Sequence, residues 1–476
     1  MNNEKLLFYL FWGVGSLALV IIAFCTSGSG GGGDSVLHYL YAKYAFTHPE
    51  NLLNHWAKPV FTLLASPFTS IGFSGIKLFN VICSSTSIWL SYKLLENWET
   101  KNRWVIAPIL LSITLFITVT LSGLTEPLSA LILISAIYFL SKQKVSIGLV
   151  VISFMPFVRS EGLIIMAIFL VYLIVKKHFK HIPFLATGHF IYALAGYPYY
   201  QDILWIFTKI PYANETASYG KGNWDHFLIQ LNFQTNPIIY TLFWLGCIGL
   251  LGKLILSFKA LLKVSGFAQK FWLVYGCFFA FSIAHVTFWA LGIFNSMGLV
   301  RVFVSVMPLM GLICVDGLNL IVESMNHEKM KKLTSLFTYI IVAAIVFFPF
   351  TKGKYGYKIP YDFVMTKEQG VIANAIKPYL DTNWPNKSIV FTDPNIPFVL
   401  NLDPFDGLAC DWYYDLKKPS NLPSDKILIA DVWFSKVEWG YPIENILKDS
   451  TLVFESAFPK QAGVYYVFSK KNIQIQ

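Results

Sequence analysis

The residues of this chain that could carry chemistry are ionisable side chains in the stretches that join long apolar segments. They are Asp34, His38, Lys43, His55, Lys58, Glu126, Arg159, Glu161 and Arg301. Ionisable groups at membrane depth are costly, so they are functional candidates by default. Their convergence on one membrane face would suit an enzyme whose substrate head group lies at the interface.

Asp34 follows a glycine-rich run in the stretch FCTSGSGGGGDSVLHYLYAKYAF, residues 24–46. Aspartate is a favoured helix N-cap, and the apolar stripe of a helix begins directly after it. A carboxylate at this position could also be the general base that takes an acceptor's proton during a glycosyl transfer by direct displacement. The two interpretations are compatible, because a residue at a helix start can point into a cleft. The glycines would form the flexible rim of that cleft.

Three basic residues of the same face predict a binding site for an anion. Arg301 lies at the predicted N-terminal end of an apolar segment, where the helix dipole disfavours a cation unless an anionic partner offsets it. Its planar guanidinium suits a phosphate, and a carboxylate such as Glu126 or Glu161 is the alternative partner. Arg159 and Lys58 are candidates for the same phosphate, although anchoring at the membrane interface also explains basic residues at such positions.

Four further residues, His38, His55, Glu126 and Glu161, are candidates for binding the sugar or the acceptor. Glu126 also suits a helix dipole, since Pro127 follows it in the first turn. No spacing supports metal ligation by the two histidines, and the sequence predicts neither a metal site nor another cofactor. The six cysteines form no disulfide framework and no CxxC motif.

The composition places these residues in a polytopic membrane protein. Of the 476 residues, 55% are hydrophobic and only 13% are charged, whereas about 25% of an ordinary soluble protein is charged. Eleven apolar segments are candidate spans, although the fourth to sixth are short for the roughly 20 residues that a span needs. The candidate spans are 6–26, 73–95, 104–122, 126–141, 145–158, 161–175, 182–197, 236–256, 271–294, 300–322 and 333–350.

Lysine and arginine residues between these spans set the predicted orientation. With eleven spans, every basic cluster falls on the same side of the membrane as the N-terminus. The clusters are Lys101 and Arg103; Lys142 and Lys144; Lys176, Lys177 and Lys180; Lys253, Lys259, Lys263 and Lys270; and Lys329, Lys331 and Lys332. By the positive-inside rule this side is the cytoplasm. The net charge of +10 therefore needs no nucleic-acid partner.

Residues 351–476 are more polar and predict a small α/β domain outside the membrane. Strand-like runs such as SIVFTD and KILIADVWF accompany a helical segment that opens with the capping-box pair Thr366 and Gln369. The predicted fold class is thus an α-helical polytopic membrane protein with a small C-terminal α/β domain. Residues 1–350 would be the catalytic transmembrane domain, in which the first outer loop, 27–58, carries Asp34.

The membrane part resembles the GT-C superfamily of membrane glycosyltransferases, which includes protein O-mannosyltransferases, lipid A aminoarabinose transferases and GPI mannosyltransferases. Asp34 stands at the place of the family's early acidic motif, HYLYAKYAF looks like the helix that follows it, and Lys58-Pro59 looks like the lysine–proline element. The segments TEP, RSEG and RVFVSVMP are similar in placement to outer-face motifs of these enzymes. Ser35 stands where the family usually has a second acid.

This resemblance implies an inverting transfer of a monosaccharide, a mannose-like hexose being favoured, from a polyprenyl-phosphate donor. Asp34 would be the base, and Lys58, Arg159 and Arg301 would bind the carrier phosphate on the extracytoplasmic face. The acceptor would be a lipid, a glycan or a protein, and nucleic acid is not an expected partner. The expected location is a membrane such as the bacterial inner membrane.

Three other functions stay open at this point. A transporter or lipid flippase would need charged residues near mid-span or broken helices at related positions of two halves, and no internal repeat is evident. An O-antigen ligase or oligosaccharyltransferase would use related chemistry with a pyrophosphate donor. A receptor or assembly scaffold would act through its outer domain.

The one-sided basic clusters predict that the polar tail lies outside the cell membrane. In a variant whose six native cysteines are replaced, a single cysteine introduced into the tail should react with a membrane-impermeant maleimide in intact cells. A cysteine in the loop around Lys142 should react only after lysis. A tail that is labelled only in lysed cells would contradict the orientation.

Overall fold

The computed structural model describes residues 3–30, 32–211, 219–257, 266–325, 331–351, 356, 363–416, 418–460 and 463–471. Within these residues a helical body is followed by a small sheet. Lys259, Lys263 and Lys329 of the predicted basic clusters lie outside the described residues, as do part of loop 198–235 and the beginning of the tail.

The helical body reaches to about residue 350, and its described α-helices are labelled α1 to α17. They are α1 Asn3–Cys25, α2 Gly32–Lys43, α3 Pro59–Ala65, α4 Phe73–Asn97, α5 Ile106–Leu111, α6 Thr114–Thr120, α7 Glu126–Ser141, α8 Val145–Ser153, α9 Gly162–Val175, α10 Thr187–Tyr200, α11 Trp205–Thr208, α12 His226–Thr235, α13 Pro237–Ser257, α14 Gly266–Gln269, α15 Cys277–Leu291, α16 Met307–Ser324 and α17 Lys331–Phe347. A π-helical segment, Lys270–Gly276, joins α14 to α15, and a 3₁₀ segment, Val300–Val306, leads into α16.

Four helical stretches of the described residues are long and apolar enough to cross a membrane. They are Asn3–Cys25, Pro237–Ile255, Phe267–Leu291 and Val300–Ser324. Arg103–Leu111 and Thr114–Thr120 would together form a fifth span, but they are bent by 69° at their junction. The fourth to sixth predicted spans correspond to shorter apolar helices, Glu126–Ser141, Val145–Phe157 and Gly162–Val175. The helical polytopic class is confirmed, whereas the count of eleven spans stays a prediction.

Close contact between helix backbones fixes the pairing of α13 with α16. A Cβ atom on Gly317 would lie 1.9 Å from the Leu242 carbonyl oxygen, and one on Gly246 would lie 2.2 Å from the Ile313 carbonyl oxygen. Small residues allow such close approach between helices in a membrane, where van der Waals packing drives association. Because α16 follows the segment that carries Arg301, this pairing fixes the position of that segment.

Polar side chains inside the body hold the loop between α6 and α7. Asn80 on α4 donates from Nδ2 to the carbonyl oxygens of Ser122 and Leu124, at 2.8 and 2.9 Å. Ser84, one turn further along α4, lies 2.7 Å from the Thr120 hydroxyl. Buried polar groups need such partners. Their pairing fixes the loop from which Glu126 and α7 begin.

The tail contains a five-stranded sheet of order β2-β1-β3-β5-β4. The strands are β1 Ser388–Phe391, β2 Cys410–Trp412, β3 Lys426–Asp431, β4 Leu452–Lys460 and β5 Gly463–Lys470. β1 pairs in parallel with β2 and β3, while β5 pairs antiparallel with β3 and β4. Its helices are Lys367–Val371, Lys377–Asn383, Asn395–Leu400, Val432–Val437 and Ile443–Leu447. The predicted capping box of Thr366 and Gln369 is present.

The tail packs on the first outer loop through both backbone and side chains. The amide of Gly28 donates to the Phe363 carbonyl at 3.1 Å, and Gln369 Nε2 donates to Ser29 Oγ at 2.9 Å. Lys43, at the end of α2, donates to Asn401 Oδ1 at 2.7 Å. The helix that carries Asp34 is therefore held from the membrane side and from the tail.

Gly317→Ala should destabilise the helical body, because its new Cβ would meet a backbone carbonyl rather than a movable side chain. Overpacking of this kind costs about 1–3 kcal/mol. The matched control is Gly252→Ala on the exposed side of α13, where a Cβ would meet nothing within 4 Å. Thermal unfolding in detergent should give a lower midpoint for Gly317→Ala only. Equal midpoints for the two variants would contradict the close packing of α13 and α16.

Candidate active site

Five charged side chains from four separate segments form one alternating chain of ion pairs. Arg301 Nη2 donates to Asp34 Oδ2, and its Nε lies 3.7 Å from Glu126 Oε1. Arg159 Nη1 lies 2.7 Å from the same Glu126 oxygen, and Arg159 Nη2 donates to Glu161 Oε1 at 2.9 Å. The order along the chain is Asp34, Arg301, Glu126, Arg159 and Glu161. The structure therefore brings together all the acids and both arginines that the sequence singled out.

Each member of this chain lies near the start of a helix or helical segment. Asp34 is in the first turn of α2, and Glu126 is the first residue of α7. Glu161 directly precedes α9, and Arg301 is the second residue of Val300–Val306. Carboxylates suit the positive end of a helix dipole. Arg301 does not, and the two carboxylates beside it provide the anionic partner that its position requires.

The predicted N-cap role of Asp34 differs from the observed helix start. α2 begins at Gly32, two residues before Asp34, so this aspartate lies inside the first turn. Its side chain is 44% exposed, whereas the Glu126 side chain is fully buried. Asp34 is thus the carboxylate of the cluster that a substrate can reach most readily.

Ser35 and the glycine run hold the start of α2 in place. Ser35 Oγ donates to the Ser29 carbonyl at 2.6 Å and accepts from the Gly123 amide at 2.6 Å. Gly30 and Gly32 have φ angles of +52° and +64°, which favour glycine. Ser35, which occupies the position of the family's second acid, therefore links the first outer loop to the loop that precedes Glu126.

Lys58 differs from the two arginines because no carboxylate of the described residues lies within ion-pair distance of it. Its Nζ donates to Ser160 Oγ at 3.4 Å. Its backbone is left-handed, with φ +67°, at the turn that precedes Pro59 and α3. Burial lowers the pKa of Lys58 to about 8. This lysine is thus a desolvated cation whose nearby carboxylates are engaged by arginines.

Arg159 and Glu161 stay ionised although both are desolvated. Burial alone would raise the pKa of Glu161, but Arg159, His285 and Lys58 lower it to about 2. Burial likewise opposes the charge on Arg159, yet Glu126 and Glu161 raise its pKa.

The two predicted sugar-binding histidines are both buried. The His38 ring stacks on Trp56 with 5.0 Å between ring centroids, and burial lowers its pKa to about 3. His55 lies 3.1 Å from the Ile206 carbonyl oxygen, and burial lowers its pKa to about 4. Both rings are therefore neutral at pH 7. Among the described residues, no three His, Cys, Asp or Glu side chains form a group that could hold a metal ion.

Sequence reasoning missed two residues of the site. Ser160, in the segment FVRSEG, meets Lys58, and His285 on α15 has its Nε2 atom 3.8 Å from Glu161 Oε1. His285 carried a usable signal, because it is an ionisable residue inside a predicted span. Ser160 carried none, since a serine between two charged residues is common on any surface. Lys43, by contrast, points to the tail and does not join the cluster.

Comparison with known sequences identifies the family of this chain. The sequence profile of the EpsG family matches residues 15–363, which is most of the helical body and the whole charged cluster. The chain belongs to the EpsG family. A sequence comparison with curated proteins found no match.

Solved structures with low sequence identity share the fold of this EpsG-family chain. ArnT from Cupriavidus metallidurans bound to undecaprenyl phosphate has 10% identity and a TM-score of 0.56, over 96% of this chain and 97% of that one. The apo form of ArnT gives 12% identity and a TM-score of 0.61 over the same shares, 96% and 97%. The oligosaccharyltransferase AglB from Archaeoglobus fulgidus has 12% identity and a TM-score of 0.55, over 100% of this chain and 75% of that one. The resemblance to the GT-C superfamily is thereby confirmed.

Lys58→Met should stabilise the protein without ligand, because it removes a buried charge at nearly constant shape. A lysine whose pKa is lowered on folding destabilises the folded state fully below that pKa. With a folded pKa of about 8 and an unfolded value of about 10.4, the penalty fades as pH rises between these values. The thermal midpoint of Lys58→Met should therefore exceed that of the wild type at pH 7, and the gain should shrink toward pH 10. A variant that is less stable than the wild type at pH 7 would contradict this assignment.

Proposed function

We propose that this protein is an integral-membrane glycosyltransferase that moves a hexose from a polyprenyl-phosphate donor to an acceptor on the extracytoplasmic face. The observation that carries the proposal is the cluster of paired charges with one accessible carboxylate, Asp34, and one lysine, Lys58, that has no carboxylate partner among the described residues. A mannose-like sugar, an inverting course and the bacterial inner membrane remain part of this proposal.

The donor phosphate would bind to Lys58, Arg159 and Arg301. Arginine forks match phosphate oxygens in pairs, and a desolvated lysine gains most from a new anionic partner. The GT-C fold supports this assignment, and the ArnT structure of the same fold holds undecaprenyl phosphate. The cations would stabilise the charge that grows on the phosphate oxygen as the sugar departs.

Asp34 would act as the general base on the acceptor. The acceptor oxygen forms a bond to the anomeric carbon, and the bond from that carbon to the phosphate oxygen breaks with its electron pair moving to the phosphate. The acceptor's proton passes to Asp34. A single displacement inverts the anomeric configuration.

Freeing Asp34 for this role requires Arg301 to have another anion to bind. Glu126 lies on the other side of the same guanidinium, with its Oε1 3.7 Å from Arg301 Nε. The incoming phosphate would add a second. Sugar or acceptor binding by Glu126 and Glu161 stays a prediction, and the full burial of Glu126 favours a role in holding the two arginines.

An oligosaccharyltransferase-like activity is the second candidate, because AglB matches this chain with nearly the same TM-score as undecaprenyl-phosphate-bound ArnT, 0.55 against 0.56. Such an enzyme would use a pyrophosphate-linked oligosaccharide. The two candidates are separated by offering the purified protein both donors. Consumption of the monophosphate-linked monosaccharide alone supports the proposed function.

Asp34→Asn should abolish most transfer, because the amide keeps the shape of the side chain and cannot accept the proton. Loss of a positioned base lowers the rate by roughly 10²–10⁴-fold. The assay is transfer of labelled hexose from a polyprenyl-phosphate donor to a membrane extract by the purified protein. The matched control is Asp381→Asn, which removes an exposed ion-paired carboxylate with Lys377 in the tail.

The control variant should transfer at the wild-type rate, and both variants should unfold at temperatures near that of the wild type. A folded Asp34→Asn protein with near-normal turnover would falsify the base role. Donor binding should survive in this variant, since the three cations are unchanged.

A further inference from the structure

His285 is a buried polar residue whose Nε2 atom has no hydrogen-bond partner among the described residues. The residue is 5% exposed, on the inner side of α15. Its ring lies against Phe281, Phe288, Phe227 and Phe303. A polar atom left without a partner in such surroundings costs free energy. Packing alone would be served as well by another phenylalanine, so the imidazole needs a separate explanation.

The nitrogen without a partner faces one particular atom of the charged cluster. His285 Nε2 lies 3.8 Å from Glu161 Oε1, about 0.6 Å beyond the usual range of an N–H···O hydrogen bond. That same oxygen accepts the 2.9 Å hydrogen bond from Arg159 Nη2. Arg159 and His285 are thus aimed at a single oxygen atom, and only Arg159 reaches it here.

The competition between Arg159 and His285 for Glu161 Oε1 would matter if Arg159 turned toward a phosphate. Arg159 Nη2 would then leave Glu161 Oε1, and a largely buried carboxylate would lose its donor beside a second anion. Lys58 faces the phosphate in the same event, so it is not free to replace Arg159. The charged groups that act on His285 are Glu161 and Arg159. The imidazole N–H is the donor that a small rotation of Glu161 would bring into range.

We propose that His285 is a positioning residue, whose imidazole N–H donates a hydrogen bond to Glu161 when Arg159 binds the donor phosphate. Glu161 exchanges one donor for another on the same oxygen, and Arg159 is released to the phosphate without leaving an unpaired buried charge. This inference rests on the proposed phosphate site. In this proposal His285, on α15, raises the affinity for the donor although none of its atoms touches the donor.

Binding of undecaprenyl phosphate to purified protein in nanodiscs tests this assignment without any turnover. His285→Phe keeps an aromatic ring and removes the donor, so affinity should fall about tenfold or more, the effect of a lost hydrogen bond to a charged group. His285→Gln restores an N–H at similar reach and should bind within about threefold of the wild type. His285→Met is a second apolar variant should His285→Phe fail to fold, and thermal unfolding checks each protein.

A double-mutant cycle with Glu161→Gln separates this role from simple packing. If His285 acts through the Glu161 carboxylate, His285→Phe should add no further loss in the Glu161→Gln background. Equal losses in both backgrounds, or wild-type affinity in folded His285→Phe, would overturn the assignment and leave the phosphate site standing. Failure of the wild type to bind undecaprenyl phosphate would overturn the phosphate site and this inference together.

Discussion

The need to pair charges away from bulk water is the constraint on which the rest of this structure depends. An ion in a low-dielectric region is costly unless an opposite charge and hydrogen bonds compensate it. The bridge from Asp34 through Arg301 to Glu126 meets this need for a cation at the unfavourable end of a helical segment. The surrounding structure holds these paired residues in place, because Asn80 fixes the loop before Glu126 and Ser35 joins that loop to α2.

Pairing the charges in advance changes how an anion can bind. In the proposed phosphate site, binding would be an exchange of partners, since both arginines already hold carboxylates. Such a site keeps its cations oriented and desolvated before the substrate arrives, which is the arrangement that stabilises developing charge most effectively. Lys58 differs from the arginines, because its partly buried ammonium has no carboxylate partner among the described residues. In the proposed site, a phosphate would bind Lys58 without displacing a carboxylate, whereas Arg159 and Arg301 would each have to release one.

The sequence predicted the members of the site better than their arrangement. Asp34, Lys58, Arg159 and Arg301 were identifiable because each ionisable residue lies at the end of an apolar segment, where its presence is costly. The carboxylates that Arg301 holds come from segments more than 100 residues away, and local pattern does not encode this pairing. The bend between Thr114 and the helix before it escaped a hydropathy argument, which measures length and not direction, whereas the short segments after Glu126 were already evident from the sequence.

The tail also helps to position the site, although the sequence predicts a domain boundary near residue 350. Asp431, at the end of β3, accepts from the backbone amides that open the helix Val432–Val437, and Lys460 Nζ lies 2.8 Å from its carboxylate. This fixed helix brings the Phe434 ring to 3.2 Å from where a Cβ on Gly33 would lie, one residue before Asp34. A side chain at position 33 would therefore press against the tail. The glycine next to the proposed base thus permits a close fit between the two parts of the chain, and the position of Asp34 depends on residues from both sides of the boundary.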